Sequence, residues 1–150
     1  MFRGNHPAKM DERGRLKLPT AFRQGIDAQY DNRFFITSTD GHSIQIHPMR
    51  EWERQEELLS KASSLVRDSA AQRYLILTSY YGEETEMDSQ GRLLLPRLLR
   101  ETAKLGSEVV VIGRQRFLEV ADRSDFEQRI GAEHALSDDD RRRLAEILNR

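Results

Sequence analysis

Asp11-Glu12-Arg13-Gly14-Arg15-Leu16-Lys17-Leu18-Pro19-Thr20-Ala21-Phe22-Arg23 occurs a second time as Asp88-Ser89-Gln90-Gly91-Arg92-Leu93-Leu94-Leu95-Pro96-Arg97-Leu98-Leu99-Arg100. Both stretches read Asp-x-x-Gly-Arg-Leu-x-Leu-Pro-x-x-x-Arg, and every matched position is offset by 77. The echo continues from Ile44–Arg54 to Leu118–Gln128, now offset by 74, so three residues are missing from the second copy in a region of loops. Two long self-similar blocks in 150 residues indicate a duplicated module. Each copy is about fifty residues, too small to bury much surface alone, so the copies are expected to complete one another.

Within each block the residues alternate. Leu16 and Leu18 fall on one face of a strand, with Arg15 and Lys17 on the other. In the second copy Leu93 and Leu95 take the inner positions, Arg92 keeps the outer one, and Leu94 replaces Lys17. An outward leucine there points to a covered face. Gly14 and Gly91 mark tight turns. Pro19 and Pro96 end the strands and open short helices, which are expected to stop near Gly25 and Gly106.

Phe34–Thr37 and Ser43–Ile46 then read as a hairpin around Asp40-Gly41, and Val109–Ile112 with Phe117–Val120 as its counterpart, turning at Gly113. A helix opens at Pro48 with Trp52, Leu59, Ala62 and Val66 on one stripe, and a second runs over 67–80. Ser137-Asp138-Asp139-Asp140 predicts a capped C-terminal helix. The expected division is a first repeat over 1–54, connecting helices over 55–80, a second repeat over 81–130 and a terminal helix over 131–150. The fold class is α+β: two tandem β-turn-β-α-β-β repeats related by a pseudo-two-fold, with flanking helices.

Composition excludes several chemistries. There is no cysteine, which removes disulfides, thiolate metal sites and cysteine nucleophiles. His6, His42, His47 and His134 lack metal-ligand spacing and are expected on the surface or in loops. No nucleophile elbow, phosphate loop or dinucleotide fingerprint is present, so neither an enzyme, a cofactor nor a small-molecule substrate is expected. Met1–Pro7 lacks the apolar region of a signal peptide, and no apolar run is long enough for a bilayer. Trp52 and Phe126 occupy matching positions and are expected in the core rather than stacked on bases.

Net charge is only -1, but its distribution is uneven. Residues 1–23 carry Arg3, Lys9, Arg13, Arg15, Lys17 and Arg23 against Asp11 and Glu12. A basic patch on a neutral protein is an electrostatic footprint for nucleic acid. The candidate contacts are Arg15, Arg13, Lys9, Lys17, Arg92 and Arg3. Asp11 with Gly14, and Asp88 with Gly91, are expected to orient the turns, each aspartate pairing with the arginine four residues on. The first copy is the richer in cations.

These blocks, with Met1-Phe2-Arg3-Gly4, Pro48-x-x-x-Trp52-Glu53 and the overall length, resemble the MraZ family of bacterial transcriptional regulators over about residues 1–130. The resemblance implies a double AbrB-like swapped-hairpin barrel, with 1–54 and 81–130 as its two AbrB-type repeats in one chain. It implies assembly into a ring, location in the cytoplasm and nucleoid, and binding to double-stranded DNA. The sites would be short direct repeats in the promoter of the division and cell-wall gene cluster, generally repressing it. Its DNA-contact motif falls on Asp11 with Arg15 and on Asp88 with Arg92. The residues Asn5-His6-Pro7-Ala8-Lys9 depart from the commoner family sequence, and Pro7 is expected to shorten or bend the first strand. Two other roles share the fold: an antitoxin, and a ring-forming interaction protein that leaves DNA alone.

Overall fold

The computed structural model describes residues 1–150. The first copy supplies β1 (Asn5–Lys9), β2 (Arg15–Lys17), α1 (Thr20–Gln29), β3 (Arg33–Thr37) and β4 (Ile44–Pro48). Two helices, α2 (Met49–Leu65) and α3 (Ser69–Tyr81), lead to the second. There follow β5 (Glu83–Glu86), β6 (Arg92–Leu94), α4 (Arg97–Thr102), β7 (Glu108–Gly113) and β8 (Leu118–Asp122), then α5 (Arg123–Glu133) and α6 (Asp138–Leu148).

The two copies exchange strands. One antiparallel sheet runs β1-β7-β8-β4-β3-β5, so β1 pairs with the second copy's β7 and β5 with the first copy's β3. A separate two-stranded ribbon joins β2 to β6. Equivalent residues meet at its centre, Leu16 opposite Leu93, and at the middle of the sheet, Gln45 opposite Glu119. Self-complementary contacts of this kind are those of a two-fold axis, here within one chain.

The α+β class and the antiparallel sheet are as expected, but the sheet does not close into a barrel. Closure would require β1 to pair with β5; instead both are outer edges, and β2 and β6 turn away to pair with each other. Only the single bridge between Met10 and Leu16 links β1 to β2. The edges are blunted. Backbone bonds from Gly113 to Gly4 and from Met10 to Ser107 fix the alternation along β1. That alternation turns the nitrogen of Pro7 away from β7, so proline costs no ladder bond and β1 runs straight through it. On the other edge, Glu83, Glu84 and Glu86 deter further pairing.

The inner sheet face and the ribbon's leucines form one core. Leu16, Leu93, Leu95, Phe34, Ile36, Ile44, Ile46, Val109 and Val120 are all fully buried. On the outer face of the sheet, α2 and α3 cover β3 and β4. Trp52 stacks on Phe35 at 4.6 Å between ring centres, and Tyr74 lies 6.4 Å beyond. Trp52 is therefore a packing residue, while Phe126 is half-buried. Val66 caps α2 and is exposed rather than continuing the apolar stripe.

His47 corrects the surface assignment of the histidines. It is 2% exposed, on the face of β4 that α2 covers, stacked on Phe117 at 4.6 Å and tilted against Trp52 at 4.8 Å. The glycine stops are corrected too. α1 runs through Gly25 to Gln29, and α4 ends at Thr102, with Lys104 rather than Gly106 in the left-handed region at φ 53°. The second hairpin turns over Arg114–Phe117, with Gln115 at φ 69°, while Gly113 ends β7.

A Cβ on Gly25 would sit 3.9 Å from Phe2 Cε1, an ordinary contact, in an interior helical position. Gly25→Ala is expected to stabilise the protein by about 0.5–1 kcal/mol. Urea unfolding checks this; a loss of stability would show that Phe2 cannot accept the methyl.

Candidate nucleic-acid interface

The two Asp-x-x-Gly-Arg turns are near copies in three dimensions. Asp11 Oδ1 accepts the backbone N–H of Arg13 and of Arg15, both at 2.9 Å, and its Oδ2 accepts Arg15 Nε at 2.8 Å. Asp88 accepts Gln90 and Arg92 N–H at 2.9 Å and Arg92 Nε at 3.0 Å. The Gly14 and Gly91 N–H groups close the turns onto the Asp11 and Asp88 carbonyls, and both glycines have positive φ, 84° and 78°.

The backbone bond from Arg15, with help from its guanidinium and from the Arg13 N–H, holds the Asp11 carboxyl below its usual range. Arg92 and Gln90 do the same for Asp88. Each aspartate occupies only the Nε of its arginine. The two terminal nitrogens of Arg15 and of Arg92 make no protein hydrogen bond. That is the arrangement a bidentate contact with a phosphate or a guanine edge requires.

Pairing of β2 with β6 brings the turns together on one ribbon. Its inner face is the four leucines Leu16, Leu18, Leu93 and Leu95, all buried. Its outer face carries Arg15 opposite Leu94 and Lys17 opposite Arg92. Like charges directly across a ladder are destabilising, and the ion pair of Arg92 Nε with Asp88 Oδ2 at 3.0 Å offsets part of that cost. Leu94 is 52% exposed beside them.

Arg13 is exposed at the tip of the first turn, and Lys9 is exposed at the end of β1 that leads into it. Arg3 is not part of this cluster. It lies at the opposite end of β1, beside the β7–β8 turn, with about 17 Å of strand in between.

Two features were not read from the sequence. The first is an asymmetry of charge. Lys9 faces Glu108 across β1 and β7, whereas its second-copy counterpart Glu86 faces Arg33 across β5 and β3. The repeat keeps an opposite-charge pair and reverses its polarity, leaving Lys9 beside the first turn and Glu86 beside the second. The second feature is the last arginine of each motif. A Cβ on Gly14 would lie 2.4 Å from Arg100 Cζ, and one on Gly91 would lie 2.4 Å from Arg23 Cζ. Each guanidinium fills the space that glycine leaves in the other copy's turn.

A family profile described as "MraZ protein, putative antitoxin-like" matches residues 1–74 and 82–146. The chain belongs to the MraZ family. It is 46% identical over 147 residues to the transcriptional regulator MraZ of Acidobacterium capsulatum, covering 98% of this chain and 99% of that protein. It is 39% identical to the transcriptional regulator MraZ of Koribacter versatilis over 94% of this chain and 95% of the relative. The transcriptional regulator MraZ of Coxiella burnetii is 33% identical over 85% and 83% of the two chains. The twin turns of this MraZ family member fall within the two matched segments. No helix is long and apolar enough to cross a membrane.

Proposed function

We propose that this chain is a DNA-binding transcriptional regulator that inserts the β2–β6 ribbon into the major groove and contacts double-stranded DNA through Arg15 and Arg92. The observation that carries this reading is the ribbon's outer face. It places Arg15, Lys17 and Arg92 side by side, with each arginine anchored through Nε to its aspartate and its two terminal nitrogens left without a protein partner. The major groove admits a two-stranded β-ribbon. Asp11 and Asp88, with Gly14 and Gly91, orient the arginines, and Lys9 and Arg13 add phosphate contacts beside the first turn. Arg3, at the far end of β1, contributes to the field or reaches a more distant phosphate.

The exchanged strands and the paired turns support an AbrB-like swapped-hairpin assignment for the repeats at 1–54 and 81–130, with 55–80 connecting them and 131–150 as an appendage. One subunit makes few phosphate contacts, so its own affinity is weak and salt-sensitive. Assembly into a ring that engages several short direct repeats multiplies those contacts through effective concentration. Leu58, Leu65, Val66, Ile76 and Tyr80 are exposed along α2 and α3, and support such self-association. A ring bound across a promoter of the division and cell-wall cluster would exclude polymerase and repress it, in the cytoplasm at the nucleoid.

Binding to a duplex with several direct repeats, across a salt series, tests the reading. Arg15→Ala is expected to lose about 1–3 kcal/mol per contact and to lower the salt slope by about one for each subunit engaged. Arg92→Ala is expected to lose less, because Glu86 stands where the first copy has Lys9. Unchanged affinity and slope in Arg15→Ala would remove the contact, and an equal or larger loss in Arg92→Ala would reverse the ranking. Light scattering is expected to show a large assembly. The antitoxin reading keeps a foothold in the family description, and co-purification of a small toxic protein would favour it.

A further inference from the structure

We infer that Arg23 and Arg100 are positioning residues, each clamping the arginine turn of the opposite copy, so that each turn of the ribbon is set by a side chain from the other half of the chain. The inference rests on the reading of these turns as the DNA contacts.

The geometry is crossed. Arg23, from α1 of the first copy, fills the space over Gly91 of the second, and Arg100, from α4 of the second, fills the space over Gly14 of the first. The backbone crosses in the same way: Leu18 N–H donates to Gly91 O at 3.0 Å, and Leu95 N–H to Gly14 O at 2.9 Å. Each turn is therefore held by its own aspartate from within, and by a guanidinium and a backbone bond from the other copy.

An ordinary stabilising role does not account for these arginines. Neither has a carboxylate within ion-pair distance. Arg100 Nε donates to Leu95 O at 3.1 Å, while Arg23 reaches Gln90 O only at 3.4 Å through Nη1. Arg23 Nε is buried with no partner at all, an arrangement that costs stability. What both sites gain is a flat, charged plate under the glycine. Only a turn without Cβ can receive it, since a Cβ would lie 2.4 Å from Cζ and Nε of the arginine at either glycine. The plate fixes the height and tilt of the Gly-Arg peptide, and hence where Arg15 or Arg92 emerges from the ribbon.

The test is a set of double-mutant cycles on the full-length protein, read by binding to the direct-repeat duplex at one salt concentration. Arg23→Lys and Arg100→Lys keep the charge and remove the plate. Arg23→Lys is expected to weaken binding about three- to tenfold in the wild-type background, by less than about twofold in Arg92→Ala, and by its full factor in Arg15→Ala. Arg100→Lys should show the mirror pattern, losing its effect in Arg15→Ala only. Equal losses in both backgrounds, the result for a direct phosphate contact or a general folding defect, would overturn the clamp.

Amide hydrogen exchange on the free protein gives a readout independent of DNA. Arg23→Lys should accelerate exchange at Gly91 and spare Gly14, and Arg100→Lys the reverse. Uncrossed acceleration, or none, would overturn the clamp. A crossed exchange pattern combined with wild-type DNA binding by Arg15→Ala and Arg92→Ala would keep the clamp and sink the DNA reading instead.

Discussion

Gly113→Ala is expected to destabilise the protein by about 4–6 kcal/mol and to release Met1–Gly4 from the body. The added Cβ would lie 2.3 Å from Arg3 N, 2.4 Å from Arg3 Cα and 2.5 Å from Phe2 C. These are backbone atoms, so no side-chain rotation relieves the clash. Either β7 twists out of register with β8, or the N-terminal segment lifts off. Lifting breaks the bonds Gly113 N to Gly4 O, Phe2 N to Gln115 O and Gln115 N to Phe2 O, each 2.7 Å long. It also exposes Phe2, which is 5% exposed in the core and packs edge-on to Phe22 and stacked on Tyr30. An aromatic side chain contributes about 1.5–3 kcal/mol on burial and each hydrogen bond about 1 kcal/mol. Against a typical domain stability of about 5–15 kcal/mol the loss is large.

Urea unfolding measures the loss, and trypsin cleavage after Arg3 under native conditions reports the released segment. Phe2→Ala should reproduce most of the effect, and the double variant should be only slightly worse than either single one, since both act on the same docking event. Gly113→Ala within about 1 kcal/mol of wild type, with Arg3 still protected, would show that the segment adjusts without leaving.

The contrast with Gly25 shows what the sequence could and could not convey. Both glycines stood where a turn or a helix stop was expected, and neither is one. Gly25 is an interior helical residue with room for a methyl; Gly113 is a strand residue against which another backbone lies. Local patterns carry φ preferences but not the approach of a segment over a hundred residues away in sequence. The repeat itself was legible, because Leu16 and Leu93, or Gln45 and Glu119, are equivalent by simple offset and meet on the pseudo-two-fold. The exchange of β1 and β5 between copies was not read from residue pattern, since pairing with either copy's hairpin satisfies the same alternation of buried residues. The Asp11–Arg15 and Asp88–Arg92 turns were legible because their bonds span four residues. Arg23 and Arg100 were not read as parts of those turns, because what they touch lies in the other copy.

His47 was misread for a related reason and sets the second large effect. Its strand alternates Ile44 and Ile46 inward with Gln45 and His47 outward, which by itself implies solvent. The outer face is covered by α2, and Trp52 and Phe117 close over the ring. Gln45 Oε1 lies 2.9 Å from Nε2 and is its only hydrogen-bond partner. Burial pushes the imidazole down to about 3, so the folded protein holds His47 neutral. The unfolded chain takes up a proton near the ordinary value of 6.5.

Between about 3 and 6.5 the unfolded state therefore binds more protons, and stability rises with pH. The contribution is fully present above 6.5 and falls by up to about 1.4 kcal/mol per pH unit below it. Moving from pH 7 to pH 5 is expected to destabilise the protein by about 2 kcal/mol through this residue alone. The lowered carboxyls of Asp11, Asp40, Asp88 and Asp140 act only near and below their usual 3.8, outside this interval. His47→Phe keeps a flat ring between Trp52 and Phe117 and removes the titration, so its urea-derived stability should change far less between pH 7 and pH 5. Parallel slopes for wild type and His47→Phe would mean that His47 is protonated within the fold, and that the aromatic layer under α2 opens to water.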